Sequence, residues 1–278
     1  MKFKQIVTVG MILLSLESCQ AQEPNGKAQE ILTDKQHSLP DSSAINIPLP
    51  IQSLMKYYDA IVGFENNHIL FADGSTMIYD DGKTNKSLTE LLNNPDIEDQ
   101  FYYKYPKGKL DHKMAKGENP GRIRNETFFK KIYGTSAKNV SAQLEEITWC
   151  PQLVNQKIRV TKVNGVAEKV KLISKELDEM PQFRNYIQNI GGTFNWRNIS
   201  GTNRLSMHSF GMTIDINTAH SNYWQWDCKC TNETVDLRYK NKIPPEIVAV
   251  FEKYGFIWGG RWYNYDTMHF EYRPELLD

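Results

Sequence analysis

Two short stretches of this chain carry residues that could do chemistry together. His208 and Asp215 lie within Ser206-Met207-His208-Ser209-Phe210-Gly211-Met212-Thr213-Ile214-Asp215, and a second cluster follows as Asp266-Thr267-Met268-His269-Phe270-Glu271. They supply two imidazoles and at least two carboxylates. A catalytic zinc needs such a set: three protein ligands, a fourth position for water, and a nearby carboxylate to take that water's proton. A lone His near an Asp is more often a surface hydrogen-bond pair, so the second cluster carries the weight. The chain has only six His, and His37, His68, His112 and His220 lack comparable surroundings.

The elements around these residues must bring them together. Residues 212–217 read as a strand in which Ile214 and Ile216 face one way and Asp215 the other. Gly211 permits a tight turn between His208 and that strand. Residues 193–197 are a candidate strand ending in Arg197, and 256–258 and 269–272 read as the last two strands. Residues 166–180 have the three-to-four spacing of a helix with one buried face. Pro244-Pro245 opens another helix, with Ile247, Val248, Val250, Phe251 and Tyr254 on its apolar side and Gly255 as its stop. Residues 158–163 form a strand, followed by an Asn164-Gly165 turn. Upstream, the expectations are a helix at 53–62, a hairpin from 68–71 and 77–79, a helix capped by Ser87 with Glu90 completing a capping box, and a helix at 125–133 ended by Gly134. Tyr102, Tyr103 and Tyr105 read first as packing, second as a groove wall. The class is α+β, a small antiparallel sheet flanked by helices, with a region 47–135 preceding a domain 136–278.

Charge is balanced at 33 basic and 33 acidic residues, and nothing argues for a nucleic-acid partner. Residues 1–19 read as a signal peptide: Lys2 and Lys4 precede an apolar run too short to span a bilayer. Leu16-Glu17-Ser18-Cys19 resembles a lipoprotein cleavage box, with Glu17 departing from the small or apolar residue usual there. Lipidation of Cys19, ordinary secretion and a retained anchor all place the mature protein outside the cytoplasm of a bacterium. As a lipoprotein it would sit in the periplasm or on the outer membrane, tethered by the polar, aperiodic linker 20–46. Of the remaining cysteines, Cys150 is expected to pair with Cys228 or Cys230, because the Cys228-Lys229-Cys230 spacing looks too tight for an unstrained bond.

Ser206-x-His208-x-x-Gly211-x-x-x-Asp215 resembles the first metal motif of the zinc D,D-carboxypeptidase and L-alanyl-D-glutamate endopeptidase family, with Met212-Thr213 replacing one usual small residue. Asp266-x-x-His269 resembles the second motif, Trp258-Gly259-Gly260 the segment leading into it, and Arg197 the upstream substrate-contacting Arg. The resemblance covers roughly 165–275 and leaves 47–135 unexplained. It implies a hedgehog/D,D-peptidase-like fold and a Zn2+ ion held by His208, Asp215 and His269. It makes Asp266 the general base that later returns the proton to the leaving amine, and gives Arg197 the scissile carbonyl or a substrate carboxylate. Ser206 would hydrogen-bond substrate or a ligand. Arg204 competes with Arg197 for the Arg role.

Glu271 is a rival base, or a partner that orients an imidazole. Trp262, Tyr263 and Tyr265 either line the groove or pack the loop. The leading expectation is a zinc peptidase that cuts peptidoglycan stem peptides at D-Ala-D-Ala or L-Ala-D-Glu. Two others are an envelope lipoprotein with a structural or vestigial zinc site that binds cell wall or a partner protein, and a peptidase acting on a non-wall peptide.

Overall fold

The computed structural model describes residues 47–109 and 114–278, so the expected signal peptide, Cys19, the linker, His37 and His112 lie outside the described residues. In chain order the helices and strands are α1 (Leu49–Tyr57), β1 (Ile61–Glu65), β2 (His68–Phe71), β3 (Thr76–Ile78), α2 (Leu88–Asn93), α3 (Glu126–Tyr133), α4 (Ala137–Ser141), β4 (Leu144–Trp149), β5 (Gln156–Thr161), α5 (Val166–Asp178), α6 (Arg184–Ile187), β6 (Thr213–Asp215), α7 (Trp224–Cys228), α8 (Pro245–Lys253), β7 (Phe256–Trp258) and β8 (His269–Tyr272). The class is α+β. Antiparallel pairing is spread over three small sheets: a β1-β2-β3 meander, a β4-β5 hairpin, and a sheet in the order β6-β8-β7.

Local signals account for most boundaries. Ser87 accepts from the Glu90 amide while the Glu90 carboxylate accepts from the Ser87 amide, so both arms of the capping box form. Asn125 caps α3 by accepting from Phe128. Gly211, at φ 65°, turns the chain between the Met207–Phe210 turn and β6; a side chain there would also meet Leu144. Three expectations are corrected. The first helix starts earlier than 53 and ends at Tyr57, because proline pre-sets its first turn and Ile61 already pairs with Phe71 in β1. Residues 193–197 form no strand. They bond to the turn that carries His208 (Asn195 amide to His208 carbonyl, 3.1 Å; Ser206 amide to Arg197 carbonyl, 2.9 Å), and a turn offers no continuous ladder. The disulfide joins Cys228 to Cys230, and Cys150 is free and buried. Lys229, left-handed at φ 54°, folds the chain back between the two cysteines, whereas the Cys150 backbone is held by Ser174 of α5.

The described residues form one compact unit, and side chains from Ile51 to Tyr272 share its largest core. Helix α5 packs on β4, β5 and α8, and α8 packs on β7. Phe270 stacks on Phe251 of α8 with ring centroids 3.8 Å apart. Alternation along β8 therefore gives Phe270 and Tyr272 to the core and sends His269 and Glu271 to the opposite face. Tyr105, the buried member of the tyrosine trio, lies under β7. Its hydroxyl donates to Glu252 of α8 (2.8 Å) and accepts from the Trp258 amide (2.8 Å). Arg261 Nε bonds the same Glu252 carboxylate at 2.7 Å, and both side chains are almost fully buried. Glu252→Ala strands that guanidinium in the core. The expected loss is about 3–5 kcal/mol of unfolding free energy, read by urea titration.

Candidate metal centre

The register of β6 on β8 places Asp215 directly opposite His269. Cross-strand neighbours have Cβ atoms about 4.5–5.5 Å apart, which is ligand-sharing distance for short side chains. His208 arrives from the turn before β6. Its Nε2 lies 3.1 Å from Asp215 Oδ2, while Nδ1 donates to the Thr193 carbonyl at 3.1 Å. His269 Nδ1 lies 3.0 Å from Asp215 Oδ1, and its Nε2 lies 3.3 Å from Glu271 Oε2. One ligand atom from each of His208, Asp215 and His269 falls within 4.8 Å of the others. Both imidazoles are buried and Asp215 is partly exposed.

Asp266 reaches the same place by a different route. The His269 amide bonds its carbonyl at 3.2 Å, making a turn, and its own amide bonds the Gly259 carbonyl at 3.0 Å. A Cβ on Gly259 would stand 2.5 Å from the Asp266 carbonyl oxygen, so Trp258-Gly259-Gly260 leaves room for that approach. Asp266 Oδ1 is buried and has no hydrogen-bond partner among the described residues. Burial, then the Asp215 charge, push the Asp266 carboxyl up to about 6. Burial alone would pull the His269 imidazole down, but its bonds to Asp215 and Glu271 outweigh this and raise it to about 10. Burial would likewise raise Asp215 and Glu271. The imidazoles hold Asp215 below its ordinary value, and Arg124, His269 and Arg273 do the same for Glu271. Three carboxylates thus converge on a spot that calls for positive charge. A His-Asp-His donor set with an unsatisfied carboxylate oxygen beside it fits a divalent zinc.

A cavity of about 320 Å³ opens over this cluster, lined among others by Arg197, Ser206, Tyr223, Trp226, Trp262 and Asp266. Arg197 is exposed there, and among the described residues its guanidinium bonds only the Asn198 carbonyl. Arg204 instead lines neighbouring cavities and bonds Glu233 at 2.8 Å. Trp262 lies 5.5 Å from the His269 ring and donates to the Pro120 carbonyl. Tyr263 and Tyr265 turn away to pack in a separate cluster with Trp224 and Leu237. The cleft also contains Arg122 and Arg124, from the segment that leads into α3 and for which the sequence suggested no role. The signal was present in Arg122-Ile123-Arg124: buried Ile123 between two arginines gives both of them one side of an extended segment.

Residues 200–272 match the family model described as D-alanyl-D-alanine carboxypeptidase. The matched segment holds His208, Asp215, Asp266 and His269, and it supports the family resemblance seen in the sequence. Arg197, Arg122 and Arg124 lie outside it. No curated protein and no solved structure matches the chain.

In chelator-treated protein Asp266 should oppose folding at neutral pH. Its folded pKa of about 6 lies above the unfolded value, so its favourable contribution is complete below about pH 4 and is lost as pH rises through 6. Asp266→Asn removes this dependence. Its stability gain over wild type should be near zero at pH 4 and reach on the order of 2–3 kcal/mol above pH 7 in paired denaturation curves.

Proposed function

We propose that the protein is a zinc-dependent peptidase of the hedgehog/D,D-peptidase fold that cleaves peptidoglycan stem peptides at D-Ala-D-Ala or L-Ala-D-Glu. The observation that carries this reading is the convergence of His208, Asp215 and His269 beside Asp266, whose buried oxygen has no partner. A purely structural metal site has no use for that extra carboxylate. The match of residues 200–272 supports a peptidoglycan-derived peptide as the substrate class.

In this reading His208 Nε2, Asp215 and His269 Nδ1 hold the ion. Zinc bound there supplies Lewis acidity toward a carbonyl oxygen and makes water acidic enough to ionise near neutral pH. Asp266, the free carboxylate of the cluster, takes the water's proton and hands it to the leaving amine. Arg197, exposed at the cleft wall, meets the scissile carbonyl or a substrate carboxylate with a fork that never loses its charge. Ser206, buried at the cleft floor, offers a hydroxyl to substrate, and Trp262 supplies an apolar wall. Secretion, with or without a lipid on Cys19, places this chemistry beside its substrate.

Purified protein should carry near-stoichiometric zinc by elemental analysis and cut defined muropeptides, the product masses naming the bond. His269→Ala should lose the metal. Asp266→Ala should keep it while turnover falls by about 10²–10⁴. Zinc-loaded wild type that cuts no muropeptide would sink the wall-peptide reading, and wild type that binds no zinc would sink the ligand assignment.

A further inference from the structure

Glu271 is fully buried on the site face of β8, next to His269 but outside the His-Asp-His set. Two guanidiniums fix it. Arg124 Nε lies 3.1 Å from both carboxylate oxygens and its Nη2 lies 2.5 Å from Oε2, while Arg273 Nη1 reaches Oε1 at 3.3 Å. A carboxylate gripped this way only accepts hydrogen bonds. The contact with His269 Nε2 at 3.3 Å is then an Nε2–H donating to Glu271, so the nitrogen that gives up its proton to become a metal ligand is Nδ1, which faces Asp215. Arg124 also lies over the Trp262 ring, 5.3 Å from its centroid, and that ring packs 5.5 Å from the imidazole. Its side chain is only 13% exposed, and it stands 147 residues before Glu271 in the chain.

We propose that Arg124 is a positioning residue for His269: by clamping Glu271 and backing Trp262, it fixes the imidazole as the Nε2–H tautomer with Nδ1 turned to Asp215 and His208, and so sets the zinc affinity of the site. This rests on the zinc reading above. It gives the region before residue 135 a part in the chemistry, through a residue outside the matched segment. Arg273 shares the grip on Glu271 but is committed to Glu275 and the Gly121 carbonyl as well, so Arg124 is the guanidinium whose strongest bonds all go to Glu271.

The test is zinc affinity by chelator competition, with kcat and KM at saturating zinc, for wild type, Arg124→Gln, Arg124→Lys, Asp215→Ala and Arg261→Gln. Loss of a partner that orients a metal-bound imidazole weakens metal binding or activity by about 10–100-fold, and Arg124→Gln should fall in that range with KM little changed. Arg124→Lys keeps the charge but not the fork, and should recover about tenfold of the loss. Arg261→Gln breaks a buried pair away from the site; it should lower Tm yet bind zinc like wild type. Wild-type zinc affinity in Arg124→Gln overturns the proposal. So does a loss that merely tracks Tm, appearing equally in Arg261→Gln. Should Arg124→Gln not fold, Arg124→Lys decides alone: an affinity equal to wild type overturns the proposal and a measurable drop with unchanged Tm supports it. Wild-type affinity in Asp215→Ala would instead discard the ligand assignment itself, and the Arg124 role with it.

Discussion

The pairing of β6 with β8 is the constraint on which the site depends. Asp215 sits across from His269 and Thr213 across from Glu271, so one strand pair presents the carboxylate, the imidazole and the group that holds that imidazole on one face. The other face of β8 is buried against α8 through Phe270. A slip of one residue would turn Phe270 toward the cleft and His269 into the core. Hydrophobic burial thus fixes the register, and the register fixes the donors. His208 and Asp266 come from turns at the strand ends, where Gly211 and Gly259 let the backbone come close enough.

Charge is handled in layers outward from that pair. Asp215 and Asp266 face the open cleft, Asp215 between the two imidazoles and Asp266 beside them with its carboxyl held up by burial. Glu271, one layer behind, is neutralised by Arg124 and Arg273, and Arg273 is tied in turn to Glu275, which accepts from Tyr58 just after α1. Glu252, Tyr105 and Arg261 form a second such network under the Trp258-Gly259-Gly260 segment. Both draw residues from before 135 and after 250. Ions buried with their partners contribute little net stability, but removing one partner is costly, so these networks specify geometry more than they add free energy.

The parts of this arrangement that were legible in sequence are those set by local rules. The capping box at Ser87, a helix beginning near Asn125, the turn at Asn164-Gly165, the apolar face of α5 and the alternation of β6 and β8 each follow from a few adjacent residues. So did the gathering of His208, Asp215, Asp266 and His269, because residue type and order are themselves sequence. What escaped depends on tertiary partners. Strand β4 is broken up on paper by consecutive Glu145 and Glu146, and exists because β5 pairs with it. Residues 193–197 look strand-like, but their neighbour is a turn. Arg124 has nothing in its local sequence to mark it until Glu271 is brought to it. The Cys228–Cys230 bond needs Lys229 in a conformation that non-glycine residues seldom adopt, which no spacing rule anticipates.

The order β6-β8-β7 has one more consequence, for the way the molecule comes into being. The central strand of the site's sheet is the last of the three in the chain, so the two outer strands are synthesised before there is anything to join them. Until β8 slides between them, His208 and Asp215 are two lone donors, Phe251 lacks its stacking partner, and Arg124 has no carboxylate to grip. Closing contacts over such sequence separations is slow, and here one insertion closes the core and the donor set together. A chain that lacks β8 therefore holds only part of the His-Asp-His cluster, which is completed when the central strand pairs.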